Sequence, residues 1–561
     1  MRLVILCMAF RAIMCDTYSE ELRIRKLGSG NLLTEFRLDI SSDGMELGPQ
    51  YHLFPRILAE IISGHSVAEL SLHLTQGRWY SSRWGLPPQP SGSTGAEVHA
   101  WIHGNDTVVD EKWRTLINAL NGVFCTALTS VVPELTTSPK FAFRPLGPDA
   151  GREMHLRYSA LGRETVCTEN LTPWKKLLPC KQNGLVTLFN PIKLYENVYH
   201  SIGFQLHPYC EGSVCKWHLQ LMMYSVIDIS LKNKGSHWNL FDIFGRKIVG
   251  VCNAASSSKI VIEVDDKSLR LEPAPTEVVN KVEGTYAIYD LRNKPTEESF
   301  TVSASYDKPS PSNIVLHSPV SVSTLVGSTD QMSGVLASVI KNEGKAQRMV
   351  YTHLIPWFLH IYYHTISLTC KDAASKEYKV PHILNRHFLP AIARQRPALV
   401  EIEFDMPANA ECRVQIKFEK AFLRIREYPP DANHGMYVPG AIITLPHKKD
   451  KADNANTSKY VTIHGNVVLI ALPVPDFSMP FNVICFVMTT VSLCFGPIHS
   501  FSTKILIPVN SVLPGSSLPR KVFRFFLLIL LALASYAQYK EMSLHEIRRS
   551  IEQFFEKMNS V

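Results

Sequence analysis

The stretch Glu69–Gln76 (ELSLHLTQ) alternates between apolar and polar side chains. Leu70, Leu72 and Leu74 therefore lie on one face of an extended chain, because successive side chains of a strand point to opposite sides. This period of two predicts a β-strand. Further apolar, β-branched and aromatic runs of the same kind are LTEFRLDI (33–40), IVIEV (260–264), TYAIYDL (285–291), FLHIYYHTISLTC (358–370), LVEIEF (399–404), CRVQIKF (412–418) and YVTIHGNVVLIAL (460–472). The sequence thus predicts a mainly β protein.

Helical patterns are fewer. The stretch FPRILAEII (54–62) has Pro near its start and Gly64 after its end, and DEKWRTLINALNGVF (110–124) repeats apolar residues at helical spacing just before Cys125. A chain of 561 residues exceeds one ordinary domain. We therefore expect an α/β-rich domain over residues 16–265 and a β-sandwich-like domain over 280–472, joined by a charged, Pro-containing connector.

Two apolar segments point to a membrane. Residues 1–15 (MRLVILCMAFRAIMC) resemble a secretory signal peptide, and residues 479–501 (MPFNVICFVMTTVSLCFGPIHSF) contain no Asp, Glu, Lys or Arg. The second segment is long enough for a bilayer core of about 30 Å. Basic residues follow it, so the positive-inside rule predicts a type I protein whose bulk is lumenal. Residues 522–537 form a possible second membrane segment, and 543–557 an amphipathic tail helix.

The cysteines and glycosylation sequons agree with a lumenal chain. Of twelve cysteines, eight fall between the signal and the membrane segment, where oxidation is expected: Cys125, Cys167, Cys180, Cys210, Cys215, Cys252, Cys370 and Cys412. Sequons place candidate glycans at Asn105, Asn170 and Asn456. Asn170 is a doubtful acceptor because Pro173 follows its Thr172.

No catalytic constellation is evident. The chain lacks a G-x-S-x-G elbow and a Walker-type loop, and its formal charge of +8 is spread without a Lys/Arg block that would bind nucleic acid. His360 and His364 have zinc-ligand spacing for a helix, yet their neighbours favour a strand, on which they would stand about 13 Å apart. We therefore expect no metal, no cofactor and no enzymatic activity.

The stretch VCTENLTPWKKLLPC (166–180) brackets a sequon, a tryptophan and two lysines between Cys167 and Cys180. From the residues alone three interpretations are open: Cys167 and Cys180 close a local disulfide loop, one of them is a reactive thiol, or one of them forms a disulfide with another chain. A catalytic thiol is the least favoured of these, since eight cysteines share an oxidising compartment.

Several stretches together resemble the PIG-T/Gpi16 subunit family of the GPI-anchor transamidase. They occur in family order and are YHLFPRILAEIIS (51–63), ELSLHLTQGRWYSSRWG (69–85), VCTENLTPWKKLLPC (166–180), GTYAIYDL (284–291), PDANHGMYV (430–438) and PDFSMPFNVIC (475–485). The resemblance implies a non-catalytic subunit of the endoplasmic reticulum membrane, which holds and stabilises a separate caspase-like cysteine peptidase beside the other membrane subunits. The complex attaches GPI lipid to proproteins.

Residue roles follow from the same resemblance. Cys167 corresponds to the cysteine that forms the interchain disulfide with the peptidase. The GPI glycan and its ethanolamine phosphates are expected near Asn433, Asp476, Ser478 and Asn482. Ordinary structural roles remain open for these residues, namely helix capping for Asp476 and Ser478 and an Asx turn for Asn433.

Internal disulfides are suggested by position. Cys210 and Cys215 are close enough for a local loop, and Cys370 and Cys412 end and begin two predicted strands. The segment after residue 504 departs from the family, which ends in a short basic tail.

Two rival functions fit the composition: a type I cell-surface receptor or adhesion glycoprotein with a β-sandwich ectodomain, and a lumenal hydrolase with scattered carboxylates.

Overall fold

The computed structural model describes most of the chain. It covers residues 16–27, 30–45, 53–131, 133–147, 153–164, 166–211, 214–229, 237–264, 269–281, 284–293, 299–306, 319–328, 330–372, 378–429, 431–446, 460–474, 478–504, 522–529 and 531–532. The chain divides into two compact units, Met1–Val474 and Pro475–Val561. The predicted signal peptide, Asp476, Asn456 and the predicted tail helix lie outside the described residues.

Strands dominate the first unit, as the alternating sequence runs predict. The first fourteen strands are β1 Thr17–Lys26, β2 Asn31–Ser41, β3 Val67–Gln76, β4 Gly95–His103, β5 Thr136–Thr137, β6 Met154–Leu161, β7 Tyr199–Glu211, β8 Val214–Asp228, β9 His237–Asn239, β10 Ser257–Val264, β11 Leu269–Glu272, β12 Glu277–Lys281, β13 Gly284–Asp290 and β14 Ser303–Tyr306. Eleven of them form one sheet in the order β12-β13-β10-β1-β2-β8-β7-β3-β4-β6-β5, and β11, β14 and β9 form a small second sheet. Only the β1–β10 pair in the large sheet is parallel among the described strands.

The later strands form a sandwich. They are β15 Val320–Ser328, β16 Ser333–Asn342, β17 Gln347–Ile355, β18 Leu359–Ile361, β19 Ser367–Asp372, β20 Tyr378–Lys379, β21 Ile383–Leu389, β22 Ala398–Met406, β23 Ala410–Lys420, β24 Met436–Val438, β25 Ile442–Pro446, β26 Tyr460–His464 and β27 Val468–Ile470. One sheet has the order β15-β16-β23-β19-β20 with β18 beside β23, and the other has β21-β22-β17-β25-β26. Side chains of both sheets share one core, for example Tyr351 of β17 and Ile416 of β23.

Six of the described helices belong to the first unit, and the last belongs to the second. They are α1 Arg56–His65, α2 Ser81–Trp84, α3 Asp106–Phe124, α4 Thr168–Lys176, α5 Pro191–Tyr195, α6 Leu240–Phe244 and α7 Ser478–Ser502, with 3-10 turns at Leu128–Val131, Leu185–Leu188, Leu291–Asn293, Tyr363–Thr365, Ile425–Glu427 and Ala432–His434. Helix α3 buries Trp113, Leu116 and Leu120, whose spacing places them on one face. They join the core beneath the large sheet.

Helix α7 carries the predicted membrane segment. Its stretch Phe481–Ser502 has 22 residues and a mean hydropathy of 1.8, and it is the one helix among the described residues that is long and apolar enough to cross a membrane. Residues 522–529, within the possible second segment, are also helical. The predicted fold class, mainly β with a C-terminal apolar helix, is confirmed.

The connector expected at residues 265–280 does not separate the two β-rich parts. Strand β13 pairs antiparallel with β10, so the stretch TYAIYDL belongs to the large sheet rather than to the sandwich. Ala287 and Tyr289 of β13 are buried beside Ile260 and Ile262 of β10, which explains the pairing. The change from the large sheet to the sandwich therefore falls between β14 and β15.

Two predicted strands are broken. The stretch FLHIYYHTISLTC contains β18, a 3-10 turn at Tyr363–Thr365 and β19, and YVTIHGNVVLIAL is split at Gly465 into β26 and β27. A Cβ at Gly465 would lie 2.9 Å from the carbonyl oxygen of Ala441, so the backbone approaches too closely for a longer side chain. Both His360 and His364 are exposed, and no group of metal-ligating side chains is present among the described residues.

Buried polar contacts join the large sheet to the sandwich. The Glu401 carboxylate accepts hydrogen bonds from the backbone N–H groups of Lys140, Phe141 and Ala142 at 2.7, 3.2 and 3.2 Å. Elsewhere, His464 Nε2 lies 3.0 Å from Glu97 Oε2. Burial alone would raise the pKa of Glu97, but the hydrogen bond and electrostatic interaction with His464, together with the interactions with His73 and His99, lower that pKa to about 2.

Candidate functional site

Cys167 occupies the N-cap of α4. Its backbone N–H donates to Asn170 Oδ1 at 2.9 Å, and its thiol donates to the same oxygen at 3.4 Å. Together with the bond from the N3 backbone to Cys167, this forms a capping box that satisfies the first turn of the helix. The cysteine is half-buried, and these bonds hold its side chain at the start of the helix.

Asn170 links this helix start to the end of α3. Its side chain is fully buried, and its Nδ2 donates to the carbonyl oxygens of Phe124 at 2.7 Å and Cys125 at 3.1 Å. The amide nitrogen that would carry a glycan is therefore occupied inside the fold. The prediction of glycosylation at Asn170 is corrected on this ground, whereas Asn105 is exposed at the N-cap of α3 and remains a candidate.

Disulfides join six of the eight cysteines that lie between the predicted signal peptide and the membrane segment. Cys210 and Cys215 are joined across the β7–β8 hairpin, and Cys370 and Cys412 across β19 and β23, which are the two pairs suggested by position. A third disulfide joins Cys180 to Cys252, with Cα atoms 5.9 Å apart. The local loop from Cys167 to Cys180 is therefore absent.

In the described part of the first unit, Cys125 and Cys167 are the two cysteines without a disulfide. Cys125 directly follows α3 in a left-handed conformation (φ 51°) and is exposed. The Asn170 amide contacts the backbone of both cysteines. Sequence reasoning did not single out Cys125, and the only signal for it was its place at the end of a predicted helix.

The rest of the motif anchors α4. Trp174 is 1% exposed and its indole N–H donates to the Gly203 carbonyl oxygen at 2.9 Å, which ties the helix to β7. Leu171, Leu177 and Leu178 are also buried in the core of the large sheet. The apolar residues of the motif therefore face inwards, and the helix presents Cys167 from a rigid support.

Tyr195 interacts electrostatically with Cys167. Burial is the main cause that raises the pKa of Tyr195, and the interaction with Cys167 adds to it. The tyrosine ring also contacts His200, with centroids 5.4 Å apart. Burial lowers the pKa of His200 to about 4, so this imidazole is neutral at pH 7.

The residues expected at the lipid are distributed over both units. Asn433 is exposed in the 3-10 turn Ala432–His434, and the Asx interaction there is made by Asp431, whose side chain accepts from the Asn433 N–H at 3.0 Å. Asn482 is exposed on α7. Ser478 begins α7, although its side chain lies outside the described residues.

An arginine that the sequence reasoning missed stands beside the Asn433 turn. Arg163 donates to His434 Nε2 at 3.3 Å, and its guanidinium lies 5.5 Å from the centre of the Tyr437 ring. The Tyr437 hydroxyl is 3.0 Å from the same histidine nitrogen. This exposed cluster combines a cation, an imidazole and a phenol, which are groups that bind phosphate and sugar oxygens.

Comparison with known proteins gives one consistent result. The family model described as "Gpi16 subunit, GPI transamidase component" matches residues 2–236 and 230–520. The chain is 34% identical to the GPI-anchor transamidase component PIGT of Mus musculus and 33% identical to that of Homo sapiens, over 87% of this chain and 90% of each relative. It is 25% identical to the GPI transamidase component GPI16 of Saccharomyces cerevisiae, over 88% of this chain and 89% of the yeast protein.

Proposed function

The chain belongs to the Gpi16 family of GPI transamidase components, and on that premise we propose that it is a non-catalytic scaffold subunit of the transamidase complex. It holds and stabilises the cysteine-peptidase subunit through an interchain disulfide at Cys167. It also helps to position the GPI lipid while anchors are attached to proproteins. The complex resides in the endoplasmic reticulum membrane, with the first unit in the lumen and α7 across the bilayer.

The placement of Cys167 is the observation that carries this proposal. Cys167 is half-buried and without a disulfide at the start of an anchored helix, while Cys180, its neighbour in the motif, is already bonded to Cys252. Because Cys180 is already in a disulfide, Cys167 cannot pair with it. The Cys167 thiol therefore remains able to form a bond with another chain. The three internal disulfides support a lumenal location, because disulfides persist in oxidising compartments.

A non-catalytic role agrees with the state of His200, whose ring contacts Tyr195. Burial lowers the pKa of His200 to about 4, so this imidazole is neutral at pH 7. A Cys–His nucleophile needs an imidazole that accepts a proton near neutral pH. We therefore assign the cutting and joining chemistry to a separate peptidase subunit.

Lipid positioning is supported by the exposed polar groups near the Asn433 turn and at the start of α7. Arg163 can pair with a phosphate, and the Asn433 side chain makes no hydrogen bond to the described residues, so it is available to a sugar or phosphate oxygen. Asn482 and Asp476 are the corresponding candidates near the membrane segment.

Non-reducing electrophoresis of the native complex tests the scaffold role. The wild-type chain should run in a heavier band that contains the peptidase, and Cys167→Ser should abolish that band. Cys125→Ser is the matched control, because it removes the other unpaired thiol of the first unit and should leave the heavy band intact. A wild-type chain that migrates alone without reductant would contradict the proposal.

Lipid positioning needs a separate readout. Asn433→Ala and Asn482→Ala should each lower the attachment of GPI to a reporter proprotein, while the heavy band on non-reducing gels persists. Asp476→Ala should do the same, since a carboxylate can pair with the ethanolamine ammonium group. Unchanged attachment in all three variants would rule out this part of the proposal.

A further inference from the structure

An open surface pocket of about 430 Å³ next to α4 is lined mainly by positively charged side chains. Its charged lining consists of Lys175, Lys181, Arg246 and Lys247, and Gln182, Thr187 and Val249 complete the wall. We call it the basic pocket. No carboxylate lines it, and none of its four cations forms an ion pair with another of the described residues.

The walls of the basic pocket are fixed to each other. One wall runs from Lys175 to Thr187 and the other from Arg246 to Val249, and the Cys180–Cys252 disulfide joins the segments that carry them. The Gly184 N–H donates to the Val249 carbonyl oxygen at 3.1 Å, and the Val249 N–H donates to Thr187 Oγ1 at 3.3 Å. Arg246 also donates to the Phe189 carbonyl oxygen at 3.3 Å. The four cations are therefore held together by the fold.

Holding like charges together has an electrostatic cost. Burial lowers the pKa of Lys175, and the neighbouring charge of Arg246 lowers it further. Cations at the C-terminal end of α4 gain some stability from the helix carbonyl groups, which accounts for Lys175 and Lys176. The same effect does not account for Lys181, Arg246 and Lys247, which lie outside that helix.

We propose that the basic pocket binds an acidic segment, rich in Asp and Glu, of the partner chain that is disulfide-bonded at Cys167. This inference rests on the proposed scaffold function. Cys167 is the N-cap of α4 and Lys175 is in its last turn. Eight residues of helix separate them, which is about 12 Å. A partner anchored at Cys167 can therefore lay a neighbouring segment across the pocket without further domain movement.

The pocket suits carboxylates better than a phosphate group. Phosphate sites usually aim several backbone N–H groups at the ligand, often from a helix N-terminus. Here the adjoining end of α4 presents carbonyl oxygens, and the N–H groups of Gly184 and Val249 are already hydrogen-bonded. Three of the four cations are lysines, whose flexible side chains can reach carboxylates that are spread along a peptide.

Charge reversal tests the docking. We would compare the full-length wild-type complex in mild detergent with the double variant Lys181→Glu and Lys247→Glu, since both lysines are exposed. The complex is immobilised through this chain, the interchain disulfide is reduced, and release of the partner is timed. We expect roughly tenfold faster release from the variant at an ionic strength of about 0.15 M, and a smaller difference at about 1 M salt.

Lys379→Glu with Lys417→Glu is the matched control, because these lysines are exposed on β20 and β23 and do not line the pocket. The control should release the partner at the wild-type rate. Equal release from the pocket variant and the wild type would overturn the docking, even if both form the disulfide. A wild-type chain that never forms the disulfide would instead overturn the scaffold function, and the docking with it.

A competition on the unmodified complex does not depend on how well a variant folds. After reduction, polyglutamate should speed the release of the partner from the wild type and have little effect on the pocket variant. Inorganic phosphate at equal total charge should act much more weakly. If phosphate is as effective as polyglutamate, the pocket is a phosphate site and the acidic-segment proposal is wrong.

Discussion

Removing the side chain of Asn170 is the sharpest test of how the Cys167 site is built. Asn170→Ala deletes two hydrogen bonds that it donates, to Phe124 and Cys125, and one that it accepts from the Cys167 N–H, besides the weak bond from the Cys167 thiol. Each such bond contributes about 1 kcal/mol net, and unsatisfied buried groups add to the loss. We therefore expect the free energy of unfolding to fall by about 3 kcal/mol.

For a unit of this size, that loss is worth about 3 °C in melting temperature, since the entropy of unfolding scales with chain length. The assay is thermal unfolding of the full-length protein in detergent, followed by electrophoresis before and after removal of N-glycans. Asn170→Ala should lower the melting temperature and leave the number of glycans unchanged.

Thr172→Ala provides the matched control. It destroys the sequon but removes only the exposed hydroxyl that donates to the Thr168 carbonyl oxygen at 2.8 Å. It should change neither the glycan number nor, by more than a fraction of a degree, the melting temperature. If Thr172→Ala removes a glycan, Asn170 is modified and its buried position is wrong. An unchanged melting temperature in Asn170→Ala would refute its role as the link between α3 and α4.

Two further predictions concern stability. Replacing Cys180 and Cys252 by Ala opens a bridge that spans 72 residues, and the loop-entropy relation gives a loss of about 4 kcal/mol, measurable as a lower melting temperature; wild-type stability in the double variant would contradict this. Burial lowers the pKa values of His73, His99 and His353 to about 4 each, so the unfolded chain binds protons first as the pH falls below 6.5. The stabilisation from these neutral imidazoles is complete above pH 6.5 and is lost towards pH 4, so the melting temperature should fall over that range; a flat profile would contradict it.

The strands could be predicted because a side-chain period of two is visible in the sequence. ELSLHLTQ became part of β3, with Leu70, Leu72 and Leu74 buried; Ser71 and His73 between them are buried too, so both faces of this strand are covered. The assignment of TYAIYDL to a sheet could not be read in this way, since its partner IVIEV is separated from it by two further strands and the pairing depends on a shared core. Local pattern thus predicts strands better than it predicts which sheet they join.

The site shows the same division. The role of Cys167 was inferred from the family resemblance. The contacts of Trp174 and Asn170 that hold its helix in place could be seen only in the structure. The sequon at Asn170 misled because a three-residue motif carries no information on burial. The bond between Cys180 and Cys252 was not predicted because long-range connectivity is not fixed by sequence spacing.

Disulfide mapping of the native complex by mass spectrometry would establish whether Cys167 joins this chain to the peptidase subunit. Thiols would be blocked before digestion without reductant, and the peptide that contains Cys167 would be identified with whatever it is bonded to. We expect a bond from Cys167 to a cysteine of the peptidase subunit, with Cys180 bonded to Cys252. A blocked, unbonded Cys167, or a bond from Cys167 to Cys125 within the same chain, would contradict it.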